Sequence, residues 1–326
     1  MTIKIANAVI AIIGGIGGIL VLYFVLNLLV ERLPVRWGDR IRPYVFVGPA
    51  LAVVGLFLVY PTLRTIVLSF ANDDSTAFVG LDNYIELFAS ADFVETLVNN
   101  LLWIIVVPAL AVVAGLAVAV LADRLKPTAE KATKSLIFLP LAISFVGAAT
   151  IWGFIYTSRP AGQPQIGLLN AVLDLFGADP VAWLQLSDFN TNDFLLMAIM
   201  VWLQAGFAMV LLSAAIKNVP EETIEAARID GAREAQIFFR VVVPQIWATV
   251  TVVFVTILIL VMKVFDIVYV MTGGAFGTNV LGVAFFEQLF EFGNAGSAAA
   301  IVVVLMIAVI PVMIYQVRRF RIEESR

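Results

Sequence analysis

The sequence predicts an all-α fold, a polytopic membrane helical bundle of about seven transmembrane helices, six forming a core and one preceding it. Three observations carry this. Hydrophobic residues make up 62% of the 326 and charged residues only 13%, against about 45–50% and about 25% in soluble domains. Seven stretches are long and apolar enough to cross roughly 30 Å of hydrocarbon, which takes about 20 residues. The basic residues fall on alternate connections between those stretches.

The spans are expected over 9–30, 44–69, 97–122, 136–157, 194–215, 247–271 and 297–317. The first is an uncharged run followed by Glu31, Arg32 and Pro34. It is longer than a signal-peptide core and lacks a small-residue cleavage site, so it reads as a retained span. Its Gly14, Gly15, Gly17 and Gly18 form a small-residue face that predicts close helix packing. The second span can end near Pro61, with an amphipathic extension beyond. Asn99 and Asn100 open the third and are expected at the membrane interface.

Orientation follows from the charges. Arg32, Arg36, Arg40 and Arg42 lie in loop 31–43; Arg124, Lys126, Lys131 and Lys134 in 123–135; Lys217, Arg228, Arg233 and Arg240 in 216–246; Arg318, Arg319, Arg321 and Arg326 in the tail. These are sixteen of the twenty basic residues. Segment 70–96 carries six carboxylates and no basic residue. The positive-inside rule places the sixteen in the cytoplasm, with the C-terminus inside and the N-terminus outside. The external connections are short, and 158–193, the longest, is divided by Pro160, Pro164 and Pro180. Any soluble receptor is therefore expected on another polypeptide.

Composition also excludes chemistry. With no cysteine and no histidine, disulfides, thiolate catalysis, Cys/His metal sites and imidazole acid–base catalysis cannot be built. A membrane-embedded enzyme would be left with carboxylate chemistry. No GxxxxGK[ST] phosphate loop occurs, so the chain has no recognisable ATP site. The net charge of −4 says little about partners.

The most informative segment is the loop from Lys217 to Pro244. Pro220 fits the first turn of a helix, and Glu221 and Glu222 suit the positive end of its dipole. The helix runs through Ile224, Glu225, Ala226 and Ala227. Gly231 stops it with a left-handed residue. A second helical piece is expected from Ala232 to about Val242, ended by Pro244. On pattern alone the segment is either a solvated linker or a docking element.

Its spacing resembles the EAA loop of ABC import permeases. Glu225-Ala226-Ala227 is followed after three residues by Gly231, and after nine more by Val241, then Val243-Pro244; the family has Ile and Leu where this chain has the two valines. Asp230-Gly231-Ala232 is the form usual in the sugar-importing branch. Tyr60-Pro61 before Leu68-Ser69-Phe70, Phe265-Asp266-Ile267-Val268-Tyr269 before Met271-Thr272-Gly273-Gly274, and Gly293-Asn294-Ala295-Gly296-Ser297-Ala298 are similar to the maltose and glycerol-phosphate type. The run 162–170, from Gly162-Gln163-Pro164 to Asn170, resembles the α-glucoside members.

The resemblance implies a division into an extra N-terminal helix and cytoplasmic loop, 1–42, and a six-helix permease domain, 43–326, with its coupling loop at 216–246. It implies an inner-membrane subunit partnered by a homologous permease, two ATPase subunits and an extracytoplasmic sugar-binding protein, with ATP and Mg²⁺ held by the ATPases and no cofactor or nucleic acid here. Glu225, Ala226, Ala227, Asp230, Gly231 and Pro244 would then form the seat on the ATPase. The alanines would permit close approach and Glu225 would offer a charge-assisted hydrogen bond.

Polar residues inside the spans complete the list. Lys263 and Asp266 are three apart, on one face of a continuous sixth helix, where an unpaired charge costs about 2.5–3.5 kcal/mol. They form either an ion pair, with Lys263 free to snorkel outward, or a border of the sugar pathway with Phe265. In the fifth span, Trp202 either packs or stacks on a sugar, and Gln204 either bonds another helix or faces substrate, with Gly206 beside them. A proton-coupled secondary transporter using Lys263 and Asp266 as a relay is the alternative reading. It lacks the inverted repeats common in such proteins and gives the helix–glycine–helix loop no role. A light-driven pump would need its lysine on the last span.

Overall fold

The computed structural model describes residues 2–32 and 34–324; of the basic tail, Arg326 lies outside them. The fold is all-α and the chain forms two compact units, up to Val67 and from Leu68. This boundary lies within the segment 43–326.

In the first unit, α1 (Thr2–Glu31) and α2 (Val35–Val54) meet where Tyr23 stacks on Phe46 at 6.0 Å and donates its hydroxyl to the Phe46 carbonyl. Beyond α2 the helix widens into a π turn at Gly55–Val59 and continues as α3 (Tyr60–Leu68). Pro61 causes this. Its ring clashes with the carbonyl four residues back and it has no N–H to donate, and a wider turn relieves both. The expected packing of Gly14, Gly15, Gly17 and Gly18 is not met within the chain: a Cβ at any of them would touch nothing within 4 Å.

The second unit opens with a turn pinned by Asn72 and Asn83, whose amide donates to Ser69 O and Ala71 O. There follow α4 (Asp82–Ala89), α5 (Ala91–Ala122), α6 (Pro127–Phe138), α7 (Phe145–Tyr156), α8 (Leu168–Leu175) and α9 (Thr191–Lys217). The core is the α5–α9 pair, with Trp103, Val107 and Ala111 buried against Leu196, Met200 and Leu203. Next come α10 (Glu221–Ile229), α11 (Glu234–Ile237), α12 (Val243–Val261), α13 (Asp266–Met271), α14 (Leu281–Phe286) and α15 (Ala295–Glu324). Asp73 caps α15 by accepting from both the backbone N–H and the hydroxyl of Ser297, which gives the Gly293–Ala298 motif its place.

Among the described residues six helices are long and apolar enough to cross a membrane, or seven if the bent pair of α6 and α7 counts as one span. The agreement with seven expected spans hides two corrections. Span 136–157 is not one helix: α6 and α7 meet at 105°. Pro140 lies in the 3₁₀ turn between them, and Ser144 restarts the helix by accepting from Gly147 N–H. Span 247–271 is also broken, at Met262–Phe265, between α12 and α13. Non-helical backbone of this kind is tolerated at membrane depth where protein surrounds it, and Val261, Met262 and Val264 are buried.

Candidate functional site

The loop between α9 and α12 folds largely as its sequence dictates. Pro220 occupies the cap position just before α10. At the other end, Gly231 N–H bonds Arg228 O and Ala232 N–H bonds Ala227 O, with Gly231 at φ +80°. This is a Schellman turn, and the left-handed residue is what lets the orphan carbonyls be satisfied. Glu225, Ala226 and Asp230 are exposed and Ala227 is half-buried. Ile229 is 86% exposed and Phe239 68%, so the turned helix presents apolar surface as well as charge.

Pro244 does not end the second helix. It sits in the first turn of α12, after a π turn at Phe238–Val242, and the helix runs on from Glu234 to Val261. The cause is the one seen before Pro61, a widened turn two residues ahead of a proline. The loop is therefore rigidly continuous with a membrane span.

Two polar networks here were not legible in the sequence. Arg228 Nε donates to Glu234 Oε1 at 2.8 Å across the glycine turn, and this bond raises the guanidinium pKa above its ordinary value. At the base of the loop, Lys134 pairs with Asp123 at 2.8 Å and Glu130 at 2.6 Å, while Lys217 pairs with Glu130 and Ser213 bonds both Lys134 and Asp123. It ties the ends of α5, α6 and α9 together where the loop leaves. Lys134→Met should destabilise the solubilised protein by about 1.5–3 kcal/mol, the range for hydrogen bonds to charged groups. Lys131→Met, at an exposed position, should leave the melting temperature unchanged.

A cavity of about 510 Å³ brings two of the six pathway residues together. Gln204 on α9 and Asp266 at the start of α13 line it with Ser144, Phe207, Thr256 and Leu260. Gln204 is buried and lines this space. The other four lie elsewhere. Trp202 packs edge-on against Trp152 at 5.8 Å. A Cβ at Gly206 would stand 2.4 Å from Ile137 O, so this glycine admits the backbone of the bent span. Phe265 stacks on Tyr269 at 5.0 Å and packs at a tilt against Phe286 at 5.4 Å. Lys263 is exposed within the helix break. The expectation that Lys263 and Asp266 share a helical face fails because that break resets the register, and no ion pair joins them among the described residues.

Of Asn99 and Asn100, the first has a tertiary role that the sequence does not announce. Helix α5 starts at Ala91, so both lie two turns inside it, and both are buried. Asn99 Nδ2 donates to Gly277 O at 2.7 Å and Asn279 O at 3.0 Å, while Asn192 donates to Phe276 O at 2.8 Å. Together they pin the loop after α13 to the ends of α5 and α9. Beside them Asp193 is fully buried, and neither of its carboxylate oxygens meets a hydrogen-bond donor among the described residues. A polar residue well inside an apolar span was the available signal.

The helix–glycine–helix loop and the broken spans agree with a sequence comparison. The family described as binding-protein-dependent transport system inner membrane component matches residues 104–323. The chain belongs to this family. The permease is 50% identical over 284 residues to the alpha-glucoside transport system permease protein AglF of Rhizobium meliloti (strain 1021), covering 87% of this chain and 83% of that one. It is 48% identical over 280 residues to the osmoprotective compounds uptake permease protein GgtC of Synechocystis sp. (strain ATCC 27184 / PCC 6803 / Kazusa), covering 86% and 99%. A crystal structure of a bacterial ABC transporter importing the acidic polysaccharide alginate has the same fold, with a TM-score of 0.74 at 21% identity over 88% of this chain and 99% of that one. The permease is thus a multi-pass inner-membrane transport subunit. Among its described residues no group of three or more carboxylates could hold a metal ion.

Proposed function

We propose that this chain is the carbohydrate-translocating subunit of an ABC importer, taking up a di- or oligosaccharide of the α-glucoside class. The observation that carries the reading is the 50% identity, across 87% of the chain, to a relative named for alpha-glucoside transport. The partners are a homologous permease, two ATPase subunits and an extracytoplasmic sugar-binding protein. The permease domain is 43–326, preceded by the extra helix and loop of 1–42.

In this mechanism the basic ends of the spans lie in the cytoplasm, with the C-terminus inside. The α10–Gly231–α11 element, with Glu225, Ala226, Ala227 and Asp230, seats on an ATPase. Pro244 keeps it continuous with α12, so ATPase closure moves a membrane span as a lever. The two access states are biased by ATP through their different contacts, as any coupled equilibrium requires. Gln204 and Asp266 supply polar contacts to sugar hydroxyls in the cavity between α7, α9 and α13. Trp202, Gly206 and Phe265 act outside that cavity, by packing the helices that carry it, and Lys263 has no part in it. A proton relay through Lys263 and Asp266 is disfavoured by the helix break between them.

The test is reconstitution of the chain with its neighbouring gene products in liposomes. ATP-dependent uptake of labelled sucrose, trehalose or maltose is expected, with glycerol-3-phosphate as the competitor that narrows the class. Uptake by this chain alone on a proton gradient would overturn the reading. In the same system Gln204→Leu should lower sugar transport at least tenfold, the equivalent of one lost polar contact of about 1.4 kcal/mol, with basal ATP hydrolysis intact.

A further inference from the structure

A second cavity of about 510 Å³ lies at the far end of the same wall. It is lined by the last turns of α7 (Thr150, Gly153, Thr157), by Trp183 and Gln185, and by Met271 at the end of α13. The Gln204 cavity uses residues 143–146, at and just before the start of α7, and the first residue of α13. Some nine residues along α7 separate the two centres, about 13 Å at 1.5 Å per residue. That is the scale of a disaccharide.

The second cavity is built rather than incidental. Asn170, 1% exposed, donates to Thr157 O and Val181 O, accepts from Val181 N–H, and accepts the Trp183 indole N–H at 3.1 Å. One buried amide thereby fastens the Val181–Gln185 turn to the end of α7. Because its N–H is spent on Asn170, half-buried Trp183 has its ring left to offer the cavity. The Tyr156 hydroxyl is likewise consumed, by Leu195 O. The cavity is left with an aromatic ring, the exposed amide of Gln185 and the exposed Ser158. An aromatic face beside hydrogen-bonding groups is the chemistry that recognises a pyranose, whose C–H face packs on the ring while its hydroxyls bond at the edge.

We propose that this cavity is an outer saccharide subsite, which receives the sugar before it moves along α7 to Gln204 and Asp266. The assignment rests on the carbohydrate reading above. Trp183 provides the stacking platform and Gln185 the hydrogen bonds, while Asn170 is a positioning residue that holds the ring. A ring platform of this kind tolerates different linkages, so selectivity among α-glucosides falls to the inner cavity.

The experiment uses the complete complex in liposomes with its binding protein and labelled sucrose, maltose and trehalose, reading sugar delivered per ATP hydrolysed. Trp183→Ala should lower that ratio about tenfold, while Trp183→Phe, which keeps a ring but cannot bond Asn170, should stay within about threefold of wild type. Basal ATP hydrolysis should be unchanged in both. Gln185→Ala, at an exposed position that does not endanger folding, should lower the ratio about threefold. A wild-type ratio in Trp183→Ala, or an equal fall in Trp183→Phe, would overturn the subsite. If Trp183→Ala does not assemble, an unchanged ratio in Gln185→Ala overturns it equally. Wild-type complex that moves none of these sugars would instead sink the carbohydrate reading.

Discussion

Gly231→Val is expected to abolish ATP-coupled uptake while the chain still inserts in the membrane. The reason is conformation, not space. A Cβ at Gly231 meets nothing within 4 Å, but the residue sits at φ +80°. Left-handed backbone costs an ordinary L-residue roughly 1–2 kcal/mol, and a β-branched residue there is an outlier. Valine therefore opens the Schellman turn, freeing the Ala227 and Arg228 carbonyls and swinging α10 away from α11. The exposed Ile229 and the charges of Glu225 and Asp230 then no longer present one docking face. Gly231→Asn separates this from a volume effect, since asparagine tolerates the left-handed region, and should keep a substantial part of the activity. Protease accessibility of the loop and membrane yield show whether insertion is intact. Uptake by the valine variant at the wild-type rate would remove the coupling role from this turn.

The second large effect is expected at Asn99. Asn99→Leu keeps the volume roughly constant but removes the donor shared by Gly277 O and Asn279 O. Each buried carbonyl left unsatisfied costs about 1–3 kcal/mol, so the melting temperature of the detergent-solubilised chain should fall clearly. The loop from Thr272 to Asn279 should also become protease-sensitive, because Asn192 alone then holds it at Phe276 O. Asn99→Asp tests the assignment further, since a carboxylate has no amide protons to donate and should fail in the same way. A melting curve for Asn99→Leu that overlays wild type would show that the loop is held by other contacts.

Much of the loop between α9 and α12 was legible because its determinants are local. Pro220, the glutamates after it, Gly231 and the spacing to Pro244 act within a few residues of themselves, and the structure follows them. The exception is also local in origin: Pro244 is accommodated by a π turn, which periodicity alone does not announce. The pathway residues were harder. Lys263 and Asp266 look like neighbours only if the helix is continuous, and nothing at Met262–Phe265 marks a break. Asn99 was expected near the start of its span, and nothing local announces the distant loop that it holds.

By itself the sequence determined that this protein lives in a membrane, where most of its apolar spans lie, and the form of the helical turn between α9 and α12. Those follow from transfer free energy, charge distribution and backbone preference, each a property of a contiguous segment. Only the tertiary structure decided which polar side chains meet: Gln204 with Asp266 across one cavity, Asn99 with a loop nearly 180 residues away, Asn170 with Trp183, and Lys134 with the ends of three helices. Such pairings depend on helix breaks and bends that packing stabilises. In an almost uniformly apolar sequence no hydrophobic face marks where a helix will turn inward, so the partners of its few polar groups appear only once the helices are assembled.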